Sequence, residues 1–403
     1  MTAHPIKTIG EVAKVKGGKR LLKGMEVQDE ETAHPYLRVV DFGPEGIDLS
    51  IIKFISEEAF NPVSRYIITS DDIYVSIAGT IGRVGIVPVD LSGANLTENA
   101  AKITEISSDI DKRYLLSFLR SELGQGVLQS KAGGTSQPKL ALFRIGEIEF
   151  PCPPLHDQKA IASILSTYDD LIENNRRRMA LMEESARQLY IEWFVRLRFP
   201  GHEHTRVTNG VPEGWKRVPV PEAIAINPRT PLSDDNEHWW VEMADLPTNG
   251  MVIQNAVKRD GRSGSKFRNG DTLFARITPC LENGKTAFVN FMAENEVGRG
   301  STEFIVLRSV SLTPEFVYCL ARTYDFREHA IKSMIGASGR QRVQESCFEK
   351  FLILMPSRSL LMLFGESSEP IFEQIKILHA QNQKLRTARN LLLPRLMSGE
   401  IAI

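Results

Sequence analysis

The side chains best equipped for chemistry with a partner are basic ones set in glycine-loosened loops. From Lys258 to Arg276 the chain reads KRDGRSGSKFRNGDTLFAR, with six basic residues (Lys258, Arg259, Arg262, Lys266, Arg268, Arg276) against two acidic ones (Asp260, Asp271), a net of +4. Lys285 follows in ENGK. Cations at this density can neutralise phosphates, which positions a protein on nucleic acid without reading its sequence. The loop GASGRQRV adds Arg340, Gln341 and Arg342, whose guanidinium and amide groups match the edges of guanine and adenine. Smaller sets occur earlier: Lys19 and Arg20 in KGGKR, Thr80 and Arg83 in AGTIGRVG, and Thr135, Ser136, Gln137 and Lys139 in AGGTSQPKL. Gln137 can pair bidentately with adenine. Each has a plainer reading, because a charge run is usually a solvated face. Arg276, between Phe274 and Ile277 in a strand, can point outward and only solvate the sheet; Arg176, Arg177 and Arg178 are expected to face water or a partner subunit.

Other chemistries find little support. Gly79 to Gly85 has glycines near the spacing of a nucleotide-binding loop but lies between strand-like segments, so it reads as a turn. Asn227-Pro228-Arg229 shares only its first two residues with the catalytic tetrapeptide of adenine methyltransferases and lacks the aromatic that stacks on a flipped base. His202 and His204 have no carboxylate or cysteine companions for a metal. Nothing assembles into a nucleophile, a base and an oxyanion donor, and no cofactor is implied.

Composition sets the frame. The 403 residues carry 49 Lys and Arg against 50 Asp and Glu, so nucleic-acid binding has to rest on local patches rather than net charge. That length suits two or three domains. Cys152, Cys280, Cys319 and Cys347 are scattered without C-x-x-C spacing, and the basic start lacks an apolar core, which predicts a reduced, cytoplasmic protein without a signal peptide.

Two long helices must position the loops. Alternating fours and threes from Ile161 lands on Leu165, Tyr168, Ile172, Asn175, Met179, Met182, Ala186, Leu189 and Trp193: nine of ten stations are apolar, in a chain that is 42% apolar. That is a coiled-coil seam on a helix of roughly 48 Å. Upstream, short strands such as PYLRVVDF, IIKFI and DDIYVSIAGTIGRVGIV lead to a helical DKRYLLSFLRSEL, a glycine-rich loop and the strand IGEIEFPCPP. Downstream the same order returns, and Asp72, Arg120 and Pro153 match Asp271, Arg322 and Pro356 at offsets of 199, 202 and 203. The chain reads as a tandem duplication. A second seam follows at Ile371, Ile375, Leu378, Asn382, Leu385, Arg389, Leu392 and Leu396, with Pro394 expected to interrupt its helix and Gly365 and Pro370 to make its start less regular.

A buried amide is best satisfied by another amide. Placing Asn175 opposite Asn382 predicts an antiparallel pair in which partner numbers sum to 557, so that Met179 meets Leu378, Ile172 meets Leu385 and Tyr168 meets Arg389. The simpler alternative packs each helix on its own module or in a homodimer.

Two modules each trailed by a long helix, with NGDTLFARITPCLENGKTAFV, GSTEFIVLR, PPLHDQKAIASILSTYDDLIENN and VPEGWK, resemble the DNA specificity subunit of a Type I restriction-modification enzyme. The resemblance covers almost the whole chain; the first module, with DDIYVSIAGTIGRVGIV and GANLTENAAKIT, keeps only the outline. It implies an α+β fold: a target-recognition domain over 1–155, a central helix over 156–198, a linker over 199–214, a second recognition domain over 215–357 and a distal helix over 358–403. It further implies a non-catalytic subunit whose two domains each read half of a bipartite, asymmetric site on double-stranded DNA. The helix pair would act as spacer and dock two methyltransferase subunits, with restriction (translocase/nuclease) subunits joining through the complex. A scaffold with two protein-binding modules is the alternative from another class.

Overall fold

The computed structural model describes residues 4–43, 46–133, 138–232, 237–337 and 339–401. Contacts divide the chain into Met1–Ile172 with Lys384–Ile403, and Glu173–Gln383. Each long helix therefore contributes one end to each unit.

In the first unit, alternating apolar stretches form two small sheets. Lys14–Gly17, Ala100–Thr104, Ile73–Ser76 and Val84–Ile86 lie in that order, all antiparallel. Lys53–Phe54, Pro35–Leu37, Ala94–Leu96 and Ile67–Ile68 form the other, with its central pair parallel. Ile6–Thr8 pairs with Glu149–Pro151. The helix Lys112–Arg120 starts where Asp111 accepts the Tyr114 N–H at 3.0 Å, and it buries Tyr114, Leu115, Phe118 and Leu119. Their spacing puts them on one face. That face packs into a core with Ile73, Val75, Ile103 and Phe150.

The second unit repeats this order strand for strand. Ile224–Ile226, Phe304–Ser309, Thr272–Ala275 and Thr286–Phe288 make the antiparallel sheet; Val257–Arg259, His238–Val241, Gly298–Gly300 and Ser265–Phe267 make the one with a parallel central pair. Lys216–Pro219 pairs with Leu352–Met355. The matched aspartates do the same work twice. Buried Asp72 accepts the Thr69 N–H at 2.9 Å and binds Lys102 at 2.9 Å; buried Asp271 accepts the Arg308 Nε and Nη2 at 2.7 Å each and the Arg268 N–H at 2.8 Å. A buried carboxylate is tolerable only when so paired.

The central helix runs Leu155–Tyr190 and continues as a π turn, Ile191–Val195; the distal helix runs Arg358–Met397. They are antiparallel. In the first unit, Ile161 and Leu165 share a core with Leu392, Leu393, Leu396 and Met397, and Asp169 binds Arg389. In the second, Asn175 Nδ2 donates to Asn382 Oδ1 at 3.0 Å, and Met179, Met182 and Ile371 pack on the cluster holding Ala186 and Ile375. Ile172 and Leu378 are buried, and Tyr168 and Leu385 half-buried.

Several expectations need correction. The distal helix is continuous through Gly365, Pro370 and Pro394; both prolines lie on its exposed face, where water can take the carbonyl that each leaves without an N–H. Arg389 meets the carboxylate of Asp169 rather than the Tyr168 ring, a charge satisfied by a charge, and Arg120 reaches the same carboxylate at 3.9 Å. Near its end the central helix buries Tyr190 and Phe194 as well as Trp193, leaving Leu189 half-buried, because aromatic Phe316 and Phe364 wait at 4.7–6.3 Å between ring centroids. Glu183, off the seam, is buried and accepts the Tyr318 hydroxyl at 2.6 Å; burial raises its pKa. Residues 199–214 are not a bare linker. They hold a hairpin, Val207–Thr208 with Val211–Pro212, and Phe199 packs against Trp215 at 5.0 Å.

The amide pair predicts a coupling energy. Asn175→Leu deprives the buried Asn382 oxygen of its donor and should cost about 1–3 kcal/mol, whereas Asn175→Leu with Asn382→Leu should recover most of it. Denaturant unfolding of the full chain and both single and double variants checks this; additive losses would show that the amides do not interact.

Candidate nucleic-acid interface

In the second unit the loop 335–342 is closed by backbone. Arg342 bridges to both Ile335 and Ile277, the Val343 N–H donates to the Arg276 carbonyl at 2.8 Å, and Thr278 and Gln341 exchange two hydrogen bonds of 3.1 Å. This frame holds up an exposed Arg340, whose guanidinium has no bonded partner among the described residues. Gln341 is half-buried, its backbone fixed by Thr278. Arg342 is engaged: its Nε lies 3.0 and 2.9 Å from the two Glu303 oxygens and its Nη2 2.6 Å from one. The Arg342 hydrogen bond holds the Glu303 carboxyl below its usual range, against a smaller opposing effect of burial. Arg276 does more than solvate the sheet. It donates to Glu345 at 3.1 Å and to the Val343 carbonyl at 3.2 Å, bracing the base of the loop.

The basic ribbon before it is exposed along Val257–Arg259. Lys258 lies 5.2 Å over the Trp239 ring and 3.7 Å from Glu296, and Arg259 donates to Glu242 at 2.9 Å. Arg262 and Arg268 are exposed and Lys266 half-buried. Lys285 is turned into the fold, donating to the Met243 carbonyl at 2.6 Å.

Sequence reading missed the residue that shapes this ribbon. Arg299, 1% exposed, donates to the carbonyls of Arg259 at 2.8 Å and Ser263 at 3.3 Å, with the Trp240 ring 5.5 Å away. An arginine between two glycines in VGRGSTEF was the available signal: the flanking positions have no room for side chains, since a Cβ on Gly298 or Gly300 would fall 2.3 or 2.6 Å from a phenylalanine ring.

The first unit builds the equivalent loop on the same bridges. Lys139 pairs with Gly133 and Ala78, and the Leu140 N–H donates to the Ile77 carbonyl at 2.9 Å. Lys139 is exposed; Thr135, Ser136 and Gln137 lie outside the described residues. Thr80 is exposed and Arg83 half-buried in the turn after Ile73–Ser76, which Gln125 and Gln129 clamp by donating to the carbonyls of Gly82 and Ile81 at 2.9 and 2.8 Å. Lys19 reaches over the Tyr66 ring at 6.0 Å, with Arg65 at 5.1 Å, and Arg20 lies 3.5 Å from Glu98. Arg65 and Tyr66 were not anticipated. On the central helix, Arg176, Arg177 and Arg178 are exposed, and the first two pair with Glu173 at 3.8 and 2.8 Å. Among the described residues no group of three or more His, Cys, Asp and Glu could hold a metal, and no helix is long and apolar enough to cross a membrane.

The site thus comprises duplicated α/β modules, each with a loop closed by the same backbone bridges, and a long antiparallel helix pair. In comparisons with known proteins, residues 5–184 match the Type I restriction modification DNA specificity domain. The chain is 24% identical to the Type I restriction enzyme MjaIX specificity subunit of Methanocaldococcus jannaschii over 87% of this chain and 82% of that one. Against the MjaVIII specificity subunit of the same organism it is 22% identical over 98% and 92%. The crystal structure of a Type I restriction-modification S subunit from M. genitalium shares the fold, with a TM-score of 0.52 at 14% identity over 97% of this chain and 95% of that one. The chain thus carries that specificity domain over residues 5–184 and is similar along most of its length to Type I restriction enzyme specificity subunits.

Glu303 neutralises the charge that Arg342 would otherwise offer a DNA phosphate. Glu303→Gln should therefore strengthen duplex binding and steepen the salt dependence of log K by about 0.9, one more phosphate contact. Titrations of the full chain at several salt concentrations measure both; unchanged affinity and slope would show that Arg342 is only a brace.

Proposed function

We propose that this chain is the DNA-reading subunit of a Type I restriction-modification complex, each module reading one half of a bipartite, asymmetric site on double-stranded DNA. The observation that carries this is the pair of equivalent loops: the same bridges close both, around different side chains, Gly133–Lys139 in one module and Ile335–Arg342 in the other. One frame with two different faces suits two different half-sites. Arg340 and Gln341 are the base-reading candidates, as is Gln137 from its sequence. The ribbon residues Lys258, Arg259, Arg262, Lys266 and Arg268 are read as phosphate contacts, with Arg276 and Lys285 holding the loops from behind.

The helix pair docks two methyltransferase subunits, through which the restriction subunits join. Support comes from apolar side chains left exposed along it, Leu171 and Leu181 on the central helix and Ile377 and Leu391 on the distal one. In this reading the chain itself performs no covalent chemistry.

Footprinting the full chain, with its methyltransferase partner, on duplexes selected from a random pool tests the proposal. Two protected segments of different sequence, separated by an unselected stretch, are expected. A single contiguous segment would contradict two-module reading, and absence of any selected duplex would favour a protein-binding scaffold.

A further inference from the structure

We propose that a cleft between the two sheets of the second module, beside Asn227–Thr230 and Gly264–Lys266, is a phosphate seat for the DNA backbone, with Arg229 and Lys266 as its cations. The cleft measures about 270 Å³. Thr230 in its lining accepts from Arg308 at 3.0 Å, and Arg308 also binds Asp271 at 2.7 Å, so that carboxylate is already paired. Arg229, exposed, and Lys266, half-buried, line this opening, and neither has a carboxylate partner among the described residues.

The backbone that shapes the cleft is constrained on both sides. Asn227 sits in the left-handed region, φ +46°, and exchanges hydrogen bonds with Val306: its N–H donates to the Val306 carbonyl, and its Oδ1 accepts the Val306 N–H, each at 2.8 Å. Pro228 then fixes the departure of the chain toward Arg229. Opposite, Gly264 has φ +100°, and a Cβ there would fall 2.2 Å from the Gly300 carbonyl oxygen, so only glycine permits this close approach. Asn-Pro-Arg, which looked like a fragment of a catalytic motif, is thus the wall of a cationic cleft.

The duplication supplies an independent observation. The first module has a cleft of about 310 Å³ at the same place, lined by Lys16, Arg65, Tyr66, Ile67 and Lys102 among others. Arg65, Tyr66 and Ile67 stand at the same offset of 199 from Gly264, Ser265 and Lys266 that relates Asp72 to Asp271. There Lys102 is spent on Asp72 and Lys16 on Glu105, at 2.9 and 2.5 Å, leaving Arg65 against the Tyr66 ring. The second module therefore carries the stronger seat. Being a backbone contact, it sets affinity and orientation and leaves base preference to the loop around Arg340.

This inference rests on the DNA-reading function proposed above. The test uses the full chain, a duplex bearing its selected site and a scrambled duplex. Arg229→Gln and Lys266→Gln should each weaken binding by the same factor on both duplexes and reduce the salt slope by about 0.9, the double variant by about twice that; Lys266→Arg should restore the slope. A wild-type slope in the double variant overturns the seat while leaving the DNA-reading function standing. The same unchanged slope, together with thermal protection by inorganic phosphate that the double variant loses, assigns the cleft to free phosphate and likewise overturns the DNA contact. Failure of the wild-type chain to prefer any duplex removes the underlying function and the seat with it.

Discussion

Asn175 and Asn382 face each other at 3.0 Å with almost no exposure to water, among apolar side chains that would accept any neighbour of suitable size. Leucine against isoleucine discriminates poorly between registers, because dispersion and burial are nearly indifferent to a shift of one heptad. An amide is not indifferent. Moved off its partner, it would leave a donor and an acceptor in a dry seam, at a cost comparable to a large part of a domain's stability. The same helix pair holds a second directional contact, Arg389 on Asp169 with Arg120 at 3.9 Å, which ties it to the helix Lys112–Arg120 of the first module. Polar contacts thus set the alignment that apolar stations reinforce.

Within each module, a buried carboxylate plays the corresponding part. Asp72 and Asp271 stand just before the strands Ile73–Ser76 and Thr272–Ala275, bind the cation of the neighbouring strand, and cap the turn that precedes them. Beyond the far ends of those strands lie the bridges that close the loops, Ala78 with Lys139 and Ile277 with Arg342. Rigid sheet positions, not loop flexibility, therefore fix where the presented side chains emerge. A recognition surface built this way can change its side chains without changing its frame.

Much of this was legible in the sequence because period and spacing report burial directly. The seam stations, the duplication offsets and the one amide in each seam required only residue types, and the register followed from the chemistry of a buried amide. Proline signals misled: Pro370 and Pro394 break helices when their missing N–H leaves a buried carbonyl, and here both face water. What pairs with what was also hidden. The glycines of GRGSTEF mark Arg299 as crowded but do not name its partners, the carbonyls of Arg259 and Ser263, nor do they show that Glu303 takes up Arg342. Charge counting treated Arg276, Arg340 and Arg342 as alike, yet Arg340 is presented while Arg276 and Arg342 are engaged within the fold.

Two modules built on one frame are proposed to read two different half-sites independently. Selection of duplexes from a random pool by the wild-type chain and by an Arg340→Ala variant, each in its methyltransferase complex, tests it most directly. Relaxed preference within one half-site is expected, with the other half and the spacing unchanged. Loss of preference in both halves together, or no change in either, would contradict it.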